Sequence, residues 1–300
     1  MLTFIIPVIA EEISDNRDLV LANLRKTLAS VKNQTSPDWR ALIVSQSRPK
    51  VDYVEDKIVY VHADFPPARK YAKNARLSAV KRAVCRRAND LDRVRKIRVA
   101  AQALHRFRTD FVMLLEADDL VSNHLCEFVE KNRDANGWSI DKGYVWNGKT
   151  RYLLRTDKLT SLSGSSWVVK VFYEMLPETI PLEVEPSTLS LVPSGCPFLD
   201  NGHRMMKAGM ARAGKPLDVL PFHGVIYHSG HGANLSRRHP RPHSSFVRKL
   251  LTWQRDVIFD RERARNRVFL GEKLRSEFAI GRDPDPVTTS EHIWPAVIAR

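Results

Sequence analysis

Four short apolar runs decide what the first 130 residues can become. They are Leu2–Ile9 (LTFIIPVI), Trp39–Ser45 (WRALIVS), Lys57–Val61 (KIVYV) and Phe111–Leu115 (FVMLL). Each is too short for a core helix and too continuously apolar for a strand with one wet face. Each therefore reads as a strand buried on both sides. The stretches between them fit helices. Ser14 or Asp15 caps one that reaches about Lys32, with Leu19, Leu24, Leu28 and Val31 near helical spacing. Residues 66–110 fit two helices broken near Asn89–Asp92, the second carrying Ile97, Ala100, Ala101 and Leu104 on one face. Another helix is expected from about Asn123 to Asn132. Strands alternating with helices define an α/β fold, a mostly parallel sheet flanked by helices. Ligands of such sheets bind outside the carboxyl ends of the strands.

The second half is less regular. Tyr144–Asn147 and Tyr152–Arg155 can pair as a hairpin, and Ser165–Leu176 and Asn201–Ala213 read as helices. Pro177 to Pro197 is punctuated by proline and reads as loop. Phe222–His228 reads as a strand. Ser244 to about Ala279 reads as a long basic amphipathic helix, with a break near Gly271. The expected organisation is one domain over 1–240, with a nucleotide-binding half (1–130) and an acceptor half (131–240), followed by a basic helical extension over 241–300.

Composition excludes several classes. With 43% hydrophobic and 27% charged residues the chain buries a real core. The apolar start, Leu2 to Ala10, is too short to span a bilayer and runs directly into Glu11 and Glu12, so it reads as a strand rather than a leader. Cys85, Cys126 and Cys196 are widely spaced and form no CxxC, which argues against a disulfide framework or a cysteine zinc site and for a reducing, cytoplasmic setting.

The formal net charge of +14 is concentrated: residues 66–110 hold 14 Lys/Arg and 3 Asp/Glu. Such a block fits an anionic partner, and equally a solvated helix face. Nucleic acid is disfavoured, because Phe65, Tyr71 and Phe107 are the only aromatics nearby and no RNA-binding, zinc-finger or leucine-zipper pattern accompanies the block. The C-terminal helix, with 9 Lys/Arg and 5 Asp/Glu over 246–280, fits either packing or peripheral contact with an anionic inner membrane face.

The fourth strand ends abruptly in Glu116-Ala117-Asp118-Asp119. Carboxylates so close repel one another unless a cation sits among them, and hard cations such as Mn²⁺ or Mg²⁺ take carboxylate oxygens. The alternative is a polar strand-to-helix turn. Six of the ten histidines fall between His203 and His243. A zinc site through His223, His228 and His231 is one reading of FHGVIYHSGHGANLS, but the spacing matches no standard zinc motif.

These residues carry a family resemblance. LTFIIPV resembles the first strand and nucleotide-binding turn of GT-A fold glycosyltransferases, most closely the large inverting family 2 group. WRALIVSQ resembles their second strand. RTDFVMLLEADDLVSNHL resembles the stretch around their DxD motif, which commonly reads Asp-Ala-Asp-Asp; here Glu116 takes the first place. The likeness covers about 1–130 and, more loosely, 137–236. It implies a metal-dependent enzyme that moves a sugar from a nucleotide-diphosphate donor to a hydroxyl of a polysaccharide, lipid-linked glycan or protein, with inversion.

Carried over, Glu116 would face the ribose. Asp118 and Asp119 would hold Mn²⁺ or Mg²⁺ against the diphosphate, joined by His231 or alternatively His228. Pro7, Val8 and Gln46 or Ser47 would line the base pocket. Asp64 is a further base or ribose candidate, and a cation of the basic block such as Lys96 would meet the phosphates. Asp200 stands like the family's general base, with Glu183 and Glu185 as competitors and His203 one turn on. Trp138, Trp146 and Trp167 are candidate sugar platforms or plain core, and Gly164-Ser165-Ser166 could cup the sugar. Two other readings stay open. A nucleotidyltransferase would show a glycine-rich basic loop where this chain has Ala10-Glu11-Glu12. A basic nucleic-acid-binding protein would need no carboxylate cluster.

Overall fold

The computed structural model describes residues 1–14, 16–51, 56–67, 79–185, 190–229 and 265–281; for 79–88, 184–185 and 190 it describes the backbone alone. The chain forms a mixed α/β structure with a central sheet flanked by helices. Strands β1 (Leu2–Pro7), β2 (Trp39–Ser45), β3 (Ile58–His62) and β4 (Phe111–Leu114) are parallel, with Leu2 opposite both Trp39 and Phe111. Three more strands complete the sheet: β6 (Gly137–Ser139), β9 (Trp167–Lys170) and β12 (Asp218–Val219), in the order β12-β6-β9-β4-β1-β2-β3.

The period of two in β1 explains why the sheet is covered on both faces. Leu2, Phe4 and Ile6 pack with Leu24, Leu28 and Val31 of α1 (Arg17–Lys32), whereas Ile5 packs with Leu42, Ile97, Ala100, Ala101 and Leu104 on the other side. The last four belong to α2 (Ala79–Leu104). Asn16 caps α1, its side-chain oxygen accepting from the Leu19 N–H at 3.0 Å. Asp15 lies outside the described residues.

A second sheet, in the order β14-β8-β7-β13-β5, begins immediately after the acidic turn. It contains β5 (Leu120–Val121), the expected hairpin β7 (Gly143–Trp146) and β8 (Tyr152–Thr156), β13 (Val225–His228) and β14 (Arg267–Phe269). Its cluster unites Tyr144, Trp146, Leu153 and Ile226 with Leu270 and Phe278. The remaining elements are α3 (Leu125–Lys131), the ribbon β10 (Val184–Glu185) and β11 (Ser190–Leu191), α4 (Pro197–Asp200), α5 (Met206–Arg212) and α6 (Glu272–Glu277). Cys126 and Cys196 are buried free thiols in different clusters. No helix among the described residues is long and apolar enough to cross a membrane.

Three expectations are corrected. Asn89–Asp92 does not break a helix: α2 runs through it, without Gly or Pro and with an Asp92–Lys96 pair one turn apart. Ser165–Leu176 is not a helix: Trp167, Val168 and Val169 are bulky and β-branched, and they form β9 between β4 and β6. The long C-terminal helix does not extend over 267–269. That segment pairs with β8, and only after Gly271 does the short α6 begin. Residues 241–264 and 282–300 lie outside the described residues.

Candidate active site

β1 leads to β2 on one side, and α2 then returns the chain to β4 on the other, so the sheet's strand order reverses between β1 and β4. A crevice at the carboxyl ends of these strands is where an open α/β sheet binds its ligand. The acidic turn lies there. Glu116 is half-buried, and its Oε1 stands 2.5 Å from Nη2 of Arg93 on α2. Its backbone N–H donates to Ser165 Oγ at 2.9 Å. A Cβ on Gly164 would lie 2.2 Å from Arg93 Nη2 and 2.3 Å from Glu116 Oε1, so a residue without a side chain lets this ion pair cross the loop. His203 completes the group. Burial, and then the Arg93 charge, lower its pKa below the ordinary histidine value, with Glu116 opposing. Its Nε2 is buried without a hydrogen-bond partner among the described residues.

Asp119 does not stand in the crevice as a ligand. It is fully buried. Its Oδ2 accepts from Ser163 Oγ at 2.6 Å and Ser165 Oγ at 2.7 Å, and its Oδ1 accepts from the His228 N–H at 3.1 Å. The expected metal ligand is instead the post that fixes the 163–165 loop and the end of β13. Burial and the adjacent Asp118 charge push its pKa well above the carboxylate range, against the two serine bonds. Asp119→Ala leaves buried donors without an acceptor, at about 1–3 kcal/mol each, and is expected to lower the urea midpoint clearly. Asp119→Asn keeps an acceptor and costs less. The sign with pH follows from the raised pKa. Between about pH 4 and the folded-state value, the unfolded chain has released a proton that the folded chain retains, so stability declines as pH rises. Asp119→Asn is expected to flatten that decline.

Three residues expected to meet the nucleotide, Val8 and Gln46 at the base and Lys96 at the phosphates, are brought together, through a fourth that sequence reasoning missed. Asp92 accepts from Gln46 Nε2 at 2.9 Å and from Lys96 Nζ at 2.6 Å, and Lys96 Nζ also donates to the Val8 carbonyl at 2.9 Å. Val8 is fully buried and Lys96 is 1% exposed. Lys96 therefore does not meet a phosphate; it holds the turn after β1 from beneath. Burial lowers its pKa, with Asp92 opposing. Pro7 ends β1 within the sheet. The helical spacing of Asp92 and Lys96 was the readable signal for this pair.

The expected base is also otherwise engaged. Asp200 accepts from Arg98 Nη2 at 2.7 Å, from the N–H and hydroxyl of Ser194 at 2.9 Å, and from the Gly195 N–H at 2.9 Å. Arg98 is 2% exposed and also donates to the Pro181 and Val192 carbonyls. A carboxylate with its lone pairs so occupied ties α2 to a loop rather than waiting for a proton. Asp64 lies exposed after β3. His231 lies outside the described residues. His228 is buried, stacked on Trp146 with ring centroids 5.3 Å apart, and a Cβ on Gly148 would come within 2.5 Å of its Nε2. Trp138 packs against Phe111 and Phe128 as core.

Seven buried polar atoms along this edge lack a partner among the described residues: Ser45 Oγ, Gln46 Oε1, Ser47 Oγ, Arg93 Nε, Ser166 Oγ, Trp167 Nε1 and His203 Nε2. Buried polar groups are ordinarily paired, and a concentration of exceptions calls for a ligand or water. Whether the donors fit a divalent cation is a separate matter. Glu116 is committed to Arg93 and Asp119 to its three donors. Among the described residues no group of three His, Cys, Asp or Glu side chains could hold a metal ion. The described donor set does not fit one.

No protein-family model matches the chain, and no curated protein matches it by sequence. Solved structures align with it at low identity. S. aureus TarS 1–349 in complex with UDP-GlcNAc is 12% identical, covers 80% of this chain and 61% of its own, and has a TM-score of 0.42. TarS 1–349 without that ligand is 10% identical over 76% of this chain and 60% of its own, TM-score 0.37. Francisella tularensis 2-C-methyl-D-erythritol 4-phosphate cytidylyltransferase is 13% identical over 84% of this chain and 99% of its own, TM-score 0.34. The chain spans about three fifths of the TarS 1–349 structures. At these TM-scores the likenesses carry no residue-by-residue correspondence. The chain is an α/β protein with a cluster of polar side chains at the switch point of its central sheet.

Proposed function

We propose that this chain is a nucleotide-sugar-dependent transferase, whose donor lies in the crevice at the carboxyl ends of β1, β2 and β4. The observation that carries the reading is the set of unpartnered polar atoms gathered there around the Arg93–Glu116 pair. Gln46 and Ser47 offer polar atoms to a base and ribose. Glu116, with Asp118 beside it, faces the ribose. The Arg93 guanidinium supplies positive charge for a departing diphosphate, and a fixed donor aimed at developing charge is the strongest catalytic device a protein side chain has. Ser166 Oγ and Trp167 Nε1 are left to address the sugar. Sugar transfer to a hydroxyl with inversion needs a base beside the acceptor oxygen. His203 is the group here with an unpartnered ring nitrogen among the described residues and a pKa lowered below the ordinary histidine value.

The test is a thermal-shift panel of UDP, GDP, CDP and dTDP, each with Mn²⁺ and with EDTA. Ligand bound to the native state raises its stability by mass action, about 2.7 kcal/mol at a hundred times Kd. One diphosphate is expected to raise Tm, and Arg93→Gln to abolish the rise. No shift with any of the four would overturn the reading. Survival of the shift in EDTA is the expected result for a site built on Arg93, and its loss would place a cation in the crevice with residues outside those described.

A further inference from the structure

The opposite edge of the central sheet carries a second polar site. An open cavity of about 570 Å³ lies at the amino ends of β1, β2 and β4, lined by Asp38, Arg40, Arg106, Arg108, Asp110 and Arg133 with Met1 and Phe107. Its two acids already have cations. Arg133 Nη2 lies 3.2 Å from Asp38, the Met1 amine lies 2.8 Å from the same carboxylate, and that amine also pairs with Asp110. Arg40, Arg106 and Arg108 make no ion pair with a carboxylate among the described residues.

Arg40 is built into the wall. Its guanidinium lies 4.4 Å from the Phe107 ring centroid, Nη1 donates to the Phe107 carbonyl at 3.3 Å, and its buried Nε has no partner. Arg106 and Arg108 are exposed at the rim, in the turn between α2 and β4. Arg108 has φ of 44°, in the left-handed region where glycine is favoured and a longer side chain is strained. A turn that glycine would hold at less cost carries an arginine. The basic block of the sequence thus divides. Lys96 and Arg98 are spent inside the fold, Arg93 faces the crevice, and Arg106 and Arg108 face this cavity.

We infer that the cavity binds a phosphate-bearing anion, from a soluble phosphate ester or an anionic lipid headgroup. Guanidinium forks match phosphate oxygens in pairs, and three of them here lack a counter-carboxylate. The volume is within the range of about 300–1,000 Å³ usual for small-ligand sites. The site is separate from the crevice, since the length of the sheet lies between them.

Calorimetric titration of the full chain with sodium pyrophosphate at low salt tests this. The Arg106→Gln/Arg108→Gly double variant is expected to bind at least tenfold more weakly than wild type. Its Tm should be unchanged or higher, because glycine relieves the strained turn. Arg93→Gln tells the two edges apart: if it, and not the double variant, removes pyrophosphate binding, the inference is overturned. A second arm is sedimentation with vesicles of phosphatidylcholine alone or with phosphatidylglycerol. Phosphatidylglycerol-dependent sedimentation that the double variant loses assigns the anion to a headgroup. Pyrophosphate binding that it loses, without sedimentation, assigns a soluble ester. Wild type that binds neither probe, or a double variant that binds as wild type does, overturns the inference.

Discussion

Replacement of His203 by glutamine is expected to slow sugar transfer by about 10²–10⁴-fold, the usual contribution of a positioned general base, while diphosphate binding in the thermal-shift panel is retained. The readout is release of nucleoside diphosphate from the sugar form of whichever nucleotide the panel selects. Two observations make this residue a stronger choice than Asp200. Asp200 receives four donors from Arg98, Ser194 and Gly195, and taking a proton would require one of those bonds to break. His203 Nε2 is buried and receives none. The pH profile gives the second readout. With its pKa held below about 6.5, the imidazole is neutral at pH 7. The rate is therefore level at and above neutrality and falls as pH drops through the lowered value. The variant should lose that acid limb.

Stability separates a catalytic from a structural role for the same residue. A buried nitrogen without a partner costs about 1–3 kcal/mol, so His203→Leu is expected to leave Tm unchanged or raise it while abolishing transfer. A site that gives up stability for function shows this opposition. A histidine that merely fills space would show the reverse, a lower Tm with a normal rate, and that result would return the base to an acidic residue.

Much of this architecture could be read in the chain before folding, and the reasons are local. β1, β2 and β4 were legible because each is a continuous apolar run, and α1 because Leu24, Leu28 and Val31 repeat at helical spacing. The acidic turn was legible because Glu116 follows directly on a buried strand. What escaped depends on distant partners. Charged residues are read as exposed by default. Arg98 is buried because Asp200 and the carbonyls of Pro181 and Val192 meet it from far along the chain. Asp119 looked like a ligand because the two serines that claim it lie 44 and 46 residues on. β9 escaped for another reason: three apolar residues followed by Lys170 are too few to tell a period of two from a period of 3.6.

Lys96 is the buried cation whose loss should cost most. Lys96→Met is expected to lower stability by about 3–5 kcal/mol, the usual penalty for removing one partner of a buried ion pair, measured as a shift in urea midpoint at unchanged slope. Methionine preserves the volume, so packing contributes little. What is lost is electrostatic: Asp92, only 8% exposed, keeps Gln46 as its one side-chain donor among the described residues, and the Val8 carbonyl loses its ammonium. Removing the orphaned charge as well tests the cause. Lys96→Met/Asp92→Leu should recover more than half of the loss, since a buried pair replaced by apolar residues is often neutral. A single variant that costs under about 1 kcal/mol would show that water reaches Asp92 and that the pair is effectively exposed. The double variant also links the fold to the crevice. It regains stability but not the orientation of Gln46, whose amide nitrogen Asp92 holds. Recovered stability with weakened diphosphate binding is therefore the expected pair of results, and it would show that Asp92 and Lys96 position the nucleotide site from beneath without touching the nucleotide.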